Sequence, residues 1–318
     1  MADGPDPTLR ELGEFPMIAR LTATRRQPPG VTVGPGDDAA VLAAPDGRVA
    51  VTTDMLVEGR HFRRDWSTAH DIGRKAIAQN AADVESMGAR ATAFVVAFGA
   101  PPDTPASLVQ ELADGMWREA GSFGAGIVGG DLVSSPQWVV SVTAIGDLAG
   151  RAPVLRSGAR AGSVVAVAGE LGRSAAGYAL LIAGLDGSAE LRRRHLVPEP
   201  PYGQGARAAV AGAQAMTDVS DGLLADLGHI ATASAVTIDL ATAALHPDVA
   251  AIAPAAAATG LDPLALVLAG GEDHALVGCF PGDVPDGWRI IGAARTGAAG
   301  VLVDGREWSG PTGWQSFG

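Results

Sequence analysis

Three observations predict a layered α/β fold of two domains. Apolar runs of strand length alternate with helix-length amphipathic segments in both halves of the chain. Glycine followed by acid recurs beside those runs, as in Gly36-Asp-Asp38, Gly129-Gly-Asp131 and Gly270-Gly-Glu-Asp273. The length of 318 residues allows two domains of ordinary size or one large one. Gly146-Asp-Leu-Ala-Gly150 marks the break, giving domains 1–149 and 150–318.

In chain order, 9–24 reads as a helix with Leu12, Phe15, Ile18, Ala19 and Leu21 on its apolar side. Short strands follow at 31–33, 39–42 and 49–53. Ser67 or Thr68 caps a helix that runs to Met87, where Gly88 stops it. Ile72, Ala76, Asn80 and Asp83 share one face of that helix, and the Asn and Asp direct it toward something polar or toward water. A strand at 92–98, a helix at 105–120 and a strand at 126–131 come next. The run 138–145 is apolar throughout, as expected of a strand buried on both faces. In the second half, strand 163–168 leads to helix 175–183, a Pro-rich connector at 195–201 and a helix at 204–211. Strand 215–218 precedes a helix from about 221 to 234 capped by Ser220. Strand 236–240, two Ala-rich helical patches, the strand carrying Cys279, and strands at 288–294 and 301–303 close the chain.

Composition excludes several classes. A net charge of −12 argues against a nucleic-acid or membrane surface. It leaves room for a nucleotide, because a divalent cation supplies the missing positive charge. The single cysteine, Cys279, allows no disulfide within the chain and no cysteine-rich metal site. The N-terminus lacks a basic region followed by an apolar one, and the Ala-rich stretch 241–258 is broken by His246, Pro247, Asp248 and Pro254. The expectation is a soluble, cytoplasmic protein.

The chemistry lies in the acids that follow strands or glycines: Asp37, Asp38, Asp54, Asp83, Asp131, Asp218, Asp221, Glu272 and Asp273. Each alone is ordinary turn chemistry. Together they suggest a cage for several Mg²⁺ ions, which favour oxygen ligands and travel with phosphates. Phosphoryl transfer calls for such a cage, since charge spreads over phosphate oxygens and must be neutralised in place. Thr52 and Thr53 add hydroxyl or carbonyl oxygens beside Asp54. No P-loop, kinase catalytic loop, Gly-x-Ser-x-Gly elbow, His-Glu-x-x-His or Rossmann fingerprint is present. Lys75 is the only lysine, so phosphate contacts fall to metal and arginine. Arg156, in Arg-Ser-Gly-Ala159, reads as a phosphate contact or as a surface turn residue.

An ordered set of motifs carries a resemblance: Gly36-Asp-Asp-Ala-Ala-Val41, Thr52-Thr-Asp-Met-Leu-Val-Glu-Gly-Arg-His-Phe62, Asn80-Ala-Ala-Asp-Val-Glu-Ser-Met-Gly-Ala89, Gly129-Gly-Asp131, Arg156-Ser-Gly-Ala159, His195-Leu-Val-Pro198, Asp218-Val-Ser-Asp-Gly-Leu223 and Gly270-Gly-Glu-Asp273. From Gly13 to Trp314 the chain resembles the thiamine-monophosphate kinase family, within the superfamily of aminoimidazole ribonucleotide synthetase and selenophosphate synthetase. The resemblance implies two α/β domains, an N-terminal sheet that pairs with its twin across a homodimer, and nucleotide held between partners and domains. It implies ATP-dependent phosphorylation of thiamine monophosphate to thiamine diphosphate by direct in-line transfer.

Carried over by position, Asp38, Thr52, Thr53, Asp54, Asp83, Asp131, Asp218 and Asp221 would hold Mg²⁺, with a monovalent cation as a further option. Asp54, Asp131 and Asp218 would act in catalysis through that metal. Gly130, Asp131, Arg156, Ser220 and, by a looser alignment, Phe123 would line the ATP site. His61, Glu272 and Trp314 would contact thiamine monophosphate, whose cationic thiazolium suits a carboxylate and an aromatic face. Taken alone, Trp314 also reads as a tail residue packing on the core, and His61 as a loop histidine. The chain departs from the family pattern at Ala82, Leu132 and His274-Ala275, where Ser, Thr and Tyr-Glu are usual. The alternatives are an aminoimidazole ribonucleotide synthetase-like enzyme and a non-catalytic nucleotide-binding regulator. A selenophosphate synthetase would carry a reactive residue near the N-terminus, and the hydrogenase-maturation relative a C-terminal cysteine; neither is here.

Overall fold

Alternating burial along a strand builds the smaller sheet of this protein, and strands buried on both faces build the centre of the larger one. The computed structural model describes residues 6–35 and 39–314. The chain forms two units, Met1–Asn80 with Ala91–Ala149, and Ala81–Arg90 with Gly150–Gly318.

The first unit begins with α1 (Leu9–Leu12) and α2 (Glu14–Thr22). The sequence predicts one helix here; Gly13, at φ 81°, divides it, and Thr8 with Glu11 closes a capping box on the first piece. A hairpin of β1 (Val31–Val33) and β2 (Val41–Leu42) follows. Then come β3 (Ala50–Val57), α3 (Ala69–Ser86), β4 (Arg90–Ala100), α4 (Ala106–Ser122), β5 (Gly126–Ser134) and β6 (Val139–Asp147). Thr68 caps α3, its Oγ1 accepting the Asp71 N–H at 3.1 Å. The four-stranded sheet has the order β3-β6-β4-β5, with β3 antiparallel to β6 and β4 parallel to β5 through the α4 crossover.

Strand β6 differs from expectation. Its composition suggests burial on both faces, but Val140, Val142, Ala144 and Gly146 are buried, while Val139, Ser141, Thr143 and Ile145 are half-exposed. Ser141 and Thr143 mark the half-exposed face, and the apolar β-branched Val139 and Ile145 at its ends hide the alternation in the sequence. The Asn80-bearing part of α3 and helix α4 approach closely at two glycines. A Cβ on Gly73 would lie 2.0 Å from the Leu112 carbonyl oxygen, and one on Gly115 would lie 2.0 Å from that of His70. Lys75, on α3, is buried at 2% exposure.

The second unit contains β7 (Val164–Ala168), α5 (Arg173–Ile182), α6 (Ala189–Leu196), α7 (Gln204–Val210), β8 (Ala215–Asp218), α8 (Leu223–Ser234), β9 (Thr237–Leu240), α9 (Thr242–Thr259), α10 (Pro263–Ala269), β10 (Leu276–Phe280), β11 (Trp288–Arg295), β12 (Gly300–Val303) and β13 (Arg306–Glu307). Its sheet runs β13-β12-β9-β11-β7-β10-β8, all antiparallel pairs except β9 with β12. Val165 and Val167 of β7 and Val277 and Cys279 of β10 face a core built with Leu180, Leu227, Ile252 and Val267. The alternate residues Ala166, Ala168, Leu276 and Phe280 pack on the other face with Ala208, Met216 and Trp288.

Two expectations need correction here. His195 falls in the last turn of α6 rather than in a connector, because Ser188 accepts the Leu191 N–H and starts a helix the sequence reading passes over. Helix α9 runs through both Pro247 and Pro254; burial of Leu245, Ile252, Ala255 and Ala256 offsets the hydrogen bonds those prolines remove. Among the described residues, no single helix is long and apolar enough to cross a membrane.

Cys279 is fully buried, and burial pushes its thiol up to about 12. In the native protein it will therefore resist Ellman's reagent at pH 8 and release one equivalent of thionitrobenzoate only after denaturation. Rapid reaction of the native protein would contradict this packing.

Candidate active site

In the first unit the candidates Thr52, Thr53, Asp54, Gly130 and Asp131 sit on the two edge strands of one sheet. Thr52 and Asp54 alternate with Thr53 along β3, so their side chains point to opposite faces. Asp54 is held by α3. Its backbone N–H donates to Asn80 Oδ1 at 3.0 Å, and Gln79 Nε2 donates to its Oδ2 at 3.2 Å. Asn80 is fully buried, and its amide also donates to the Ala76 carbonyl at 2.9 Å. Gln79 and Asn80 of α3 are thus spent on orienting Asp54. Thr53 Oγ1 donates to the Val142 carbonyl and meets Thr143 across the strand pair.

His61 lies in the turn after β3. The Val57 N–H donates to its Nδ1 at 3.0 Å, so a neutral ring carries its proton on Nε2. Gly130 and Asp131 are on β5, the opposite edge of the sheet, three strand spacings or about 14 Å from β3. A Cβ on Gly130 would lie 2.0 Å from the Val96 carbonyl oxygen, so close strand packing alone calls for glycine. Asp131 is exposed and accepts the Leu132 N–H. Phe123, just past α4, meets Phe94 edge-on at 6.1 Å. Asp38 lies outside the described residues.

In the second unit two loops lie side by side, 218–222 and 270–274. The Glu272 N–H donates to the Ser220 carbonyl at 2.7 Å and the His274 N–H to that of Val219 at 2.9 Å. Their approach leaves no space for a side chain at Gly271, whose Cβ would lie 2.6 Å from the Ser220 carbonyl oxygen. His274 Nδ1 is 3.1 Å from Asp218 Oδ2, and both side chains are buried. Burial disfavours charge on His274, but the Asp218 carboxylate, with Glu272 and Asp83 nearby, outweighs it and raises the imidazole above its usual range. The Trp314 N–H donates to the Asp221 carbonyl at 2.9 Å, which fastens the tail beside the same loop. Arg156 is exposed next to β8, where the Met216 N–H donates to the Leu155 carbonyl.

The expected capping role of Ser220 is not found. Helix α8 starts at Leu223, and Asp226 Oδ2 accepts the Asp221 and Gly222 N–H groups at 3.1 Å each. Asp226 was not singled out from the sequence; an acid in the first turn after Ser-Asp-Gly is the signal that marks it. Burial, followed by the nearby Asp218 and Asp221 charges, pushes Asp226 up to about 7 despite those two N–H bonds. Mutual repulsion of this kind is what a divalent cation relieves, and the carboxylate and hydroxyl donors suit Mg²⁺. Among the described residues, no group of three or more His, Cys, Asp and Glu side chains is gathered in a geometry that could hold a metal ion. A metal here would need oxygens from its substrates as well as from the protein.

The structure thus gathers Asp83, Asp218, Ser220, Asp221, Glu272 and Trp314 in one unit, and Thr52, Thr53, Asp54 and His61 in the other. It keeps Gly130 and Asp131 on the far edge of their sheet.

Residues 36–148 match the family described as AIR synthase related protein, N-terminal domain. Across 312 residues the chain is 70% identical to a thiamine-monophosphate kinase of Mycobacterium tuberculosis H37Rv, covering 98% of this chain and 94% of the relative. The crystal structure of a thiamine-monophosphate kinase from Stenotrophomonas maltophilia K279a superposes with a TM-score of 0.77 at 31% identity, over 91% of this chain and 95% of that one. A structure described as AaThiL complexed with AMPPCP and TMP superposes with a TM-score of 0.76 at 30% identity, over 99% of this chain and 100% of that one. The chain belongs to the thiamine-monophosphate kinase family.

Proposed function

We propose that this protein transfers the γ-phosphoryl group of ATP to thiamine monophosphate, giving thiamine diphosphate and ADP. Family membership across nearly the whole chain carries the reading. The relative solved with AMPPCP, an ATP analogue, and TMP supports the same pair of substrates. The acceptor is a phosphate oxygen, and a phosphate monoester is largely dianionic at neutral pH, its second pKa being about 6. No general base is needed to activate it, which fits the lack of a kinase-type catalytic loop. The acceptor oxygen attacks the γ-phosphorus as the bond to the β,γ-bridging oxygen breaks and ADP leaves.

The physical difficulty is repulsion, since two polyanions must meet in line. Bound Mg²⁺ would neutralise the phosphate oxygens as charge develops on them. The ligands for such ions are Asp38, Thr52, Thr53, Asp54 and Asp131 in the first unit, and Asp83, Asp218 and Asp221 in the second. Asn80 and Gln79 aim Asp54, and Asp226 holds the Asp221 loop. Arg156, Ser220, Gly130 and Phe123 serve ATP, and His61, Glu272 and Trp314 serve thiamine monophosphate. A cytoplasmic location belongs to the same reading.

Purified protein with ATP, Mg²⁺ and thiamine monophosphate should yield thiamine diphosphate by chromatography, and EDTA should stop it. Asp54→Asn and Asp131→Asn should each lower turnover about a hundredfold or more with the melting temperature kept. Asn80→Ala should lower it about tenfold, as expected for one lost orienting hydrogen bond. Full turnover in Asp54→Asn would sink the metal assignment.

Trp314 is 64% exposed, more than a core residue would be. Trp314→Ala should raise KM for thiamine monophosphate several-fold, about the strength of one cation–π contact, and leave KM for ATP unchanged. Equal losses for both substrates would return Trp314 to a packing role.

The four-stranded sheet also supports a homodimer. Val51 and Met55, on the β3 face opposite Asp54, are 62% and 53% exposed. Large apolar side chains so placed suit a self-complementary interface. Light scattering should give twice the 32.0 kDa chain mass, and Met55→Lys should return it to 32.0 kDa. A wild-type monomer at micromolar concentration would exclude the dimer.

A further inference from the structure

We propose that His195 is a positioning residue. It fixes the Glu272 carboxylate in the direction that receives the substrate, and Ser174 fixes His195. The inference rests on the reading that Glu272 contacts thiamine monophosphate.

His195 Nδ1 stands 3.3 Å from Glu272 Oε2 and 3.1 Å from Ser174 Oγ. An ionised carboxylate only accepts hydrogen bonds, so the proton belongs on Nδ1, with Ser174 Oγ as a second acceptor. The imidazole is itself held, with a side chain only 11% exposed and a ring centroid 5.1 Å from that of Tyr178. Ser174 lies in the first turn of α5, and its N–H donates to Asp273 Oδ1 at 2.9 Å. The residue that anchors the 270–274 loop through Asp273 therefore also anchors the histidine that holds Glu272.

A Ser–His–acid trio invites a nucleophilic reading, and the geometry rejects it. Such a relay needs the hydroxyl on one ring nitrogen and the carboxylate on the other. Here both face Nδ1, so the imidazole cannot pass a proton from Ser174 through its far nitrogen. What the arrangement does is remove freedom. Glu272 has a left-handed backbone, φ 62°, and a side chain 32% exposed, so a carboxylate without a partner would sample several directions. The 3.3 Å contact to a mostly shielded imidazole selects one of them. His195 opens the His-Leu-Val-Pro198 motif, to which the reaction itself assigns no role.

The test is steady-state kinetics with each substrate varied in turn. His195→Ala should raise KM for thiamine monophosphate about tenfold, the scale of one charge-assisted hydrogen bond, and leave KM for ATP within about twofold. His195→Asn, whose amide can donate from nearly the same place, should recover most of the loss. Ser174→Ala, which keeps the N–H to Asp273, should shift KM in the same direction by less. In a Glu272→Ala background, His195→Ala should add nothing. Equal losses for both substrates, a lower melting temperature with unchanged KM, or full additivity with Glu272→Ala would each overturn the proposal. Glu272→Ala alone with unchanged KM for thiamine monophosphate would instead overturn the reading of Glu272. If His195→Ala does not fold, His195→Asn and Ser174→Ala decide the matter by the same KM split.

Discussion

Burial of Asp273 against the first turn of α5 is the constraint on which the loops of the second unit depend. Its two oxygens accept the Gly172 and Ser174 N–H groups at 2.5 and 2.9 Å. Those donors would otherwise be unmatched at a helix start, where the backbone also favours negative charge. Burial works the other way and pushes Asp273 up to about 7. The residues on either side, Glu272 and His274, take left-handed backbone angles of 62° and 52°. Such conformations persist where the surroundings over-determine them. With Asp273 pinned between them, Glu272 is presented on one side of the loop and His274 is turned to Asp218 on the other.

The first unit solves the same problem in a different way. Asp54 lies on a strand whose neighbouring residues alternate between two faces, so pleating alone decides which oxygens share a side. Helix α3 then refines the aim through Asn80 and Gln79, two amides that contribute direction without charge. Neutral orienting groups suit the metal-ligand role proposed for Asp54, since a nearby cation would compete with a metal. The single lysine of the chain is on that helix too, and like Asn80 it is buried. The close approach at Gly73 and Gly115 brings α3 and α4 to near backbone contact, so the helix that aims Asp54 has little room to shift.

Much of this was legible in the sequence, and the parts that were not share a physical cause. Strand and helix order, the Thr68 cap, the Gly88 stop and the buried Cys279 all rest on local chemistry that a single segment declares. The acids Asp54, Asp218 and Asp221 stood out because they follow apolar runs and glycines. Helix α6 was missed because its mean hydropathy is low and only Leu191 is buried, so no apolar stripe announces it. The cap of α8 was given to Ser220 by proximity, whereas Asp226 supplies it from inside the helix. Asp273 and His195 stand out in their motifs, but their roles, like that of Asp226, run through partners distant in sequence or through backbone groups, and neither leaves a period or spacing to read. The face of Thr53 was likewise invisible until its neighbour in β6 was known.

The burial of Lys75 has a consequence for how this molecule meets its surroundings. With the only lysine at 2% exposure, every cationic side chain on the described surface that is not a histidine is an arginine. Guanidinium groups stay charged across the whole working range of pH, so the positive part of the surface does not fade in alkaline buffer. Acetylation, ubiquitin conjugation and amine-directed cross-linkers all seek a solvent-accessible ε-amine, and the folded side chains present none. Chemical diversity at the surface is thus left to carboxylates, imidazoles and guanidinium groups, and any covalent tag directed at lysine would report unfolding rather than a surface.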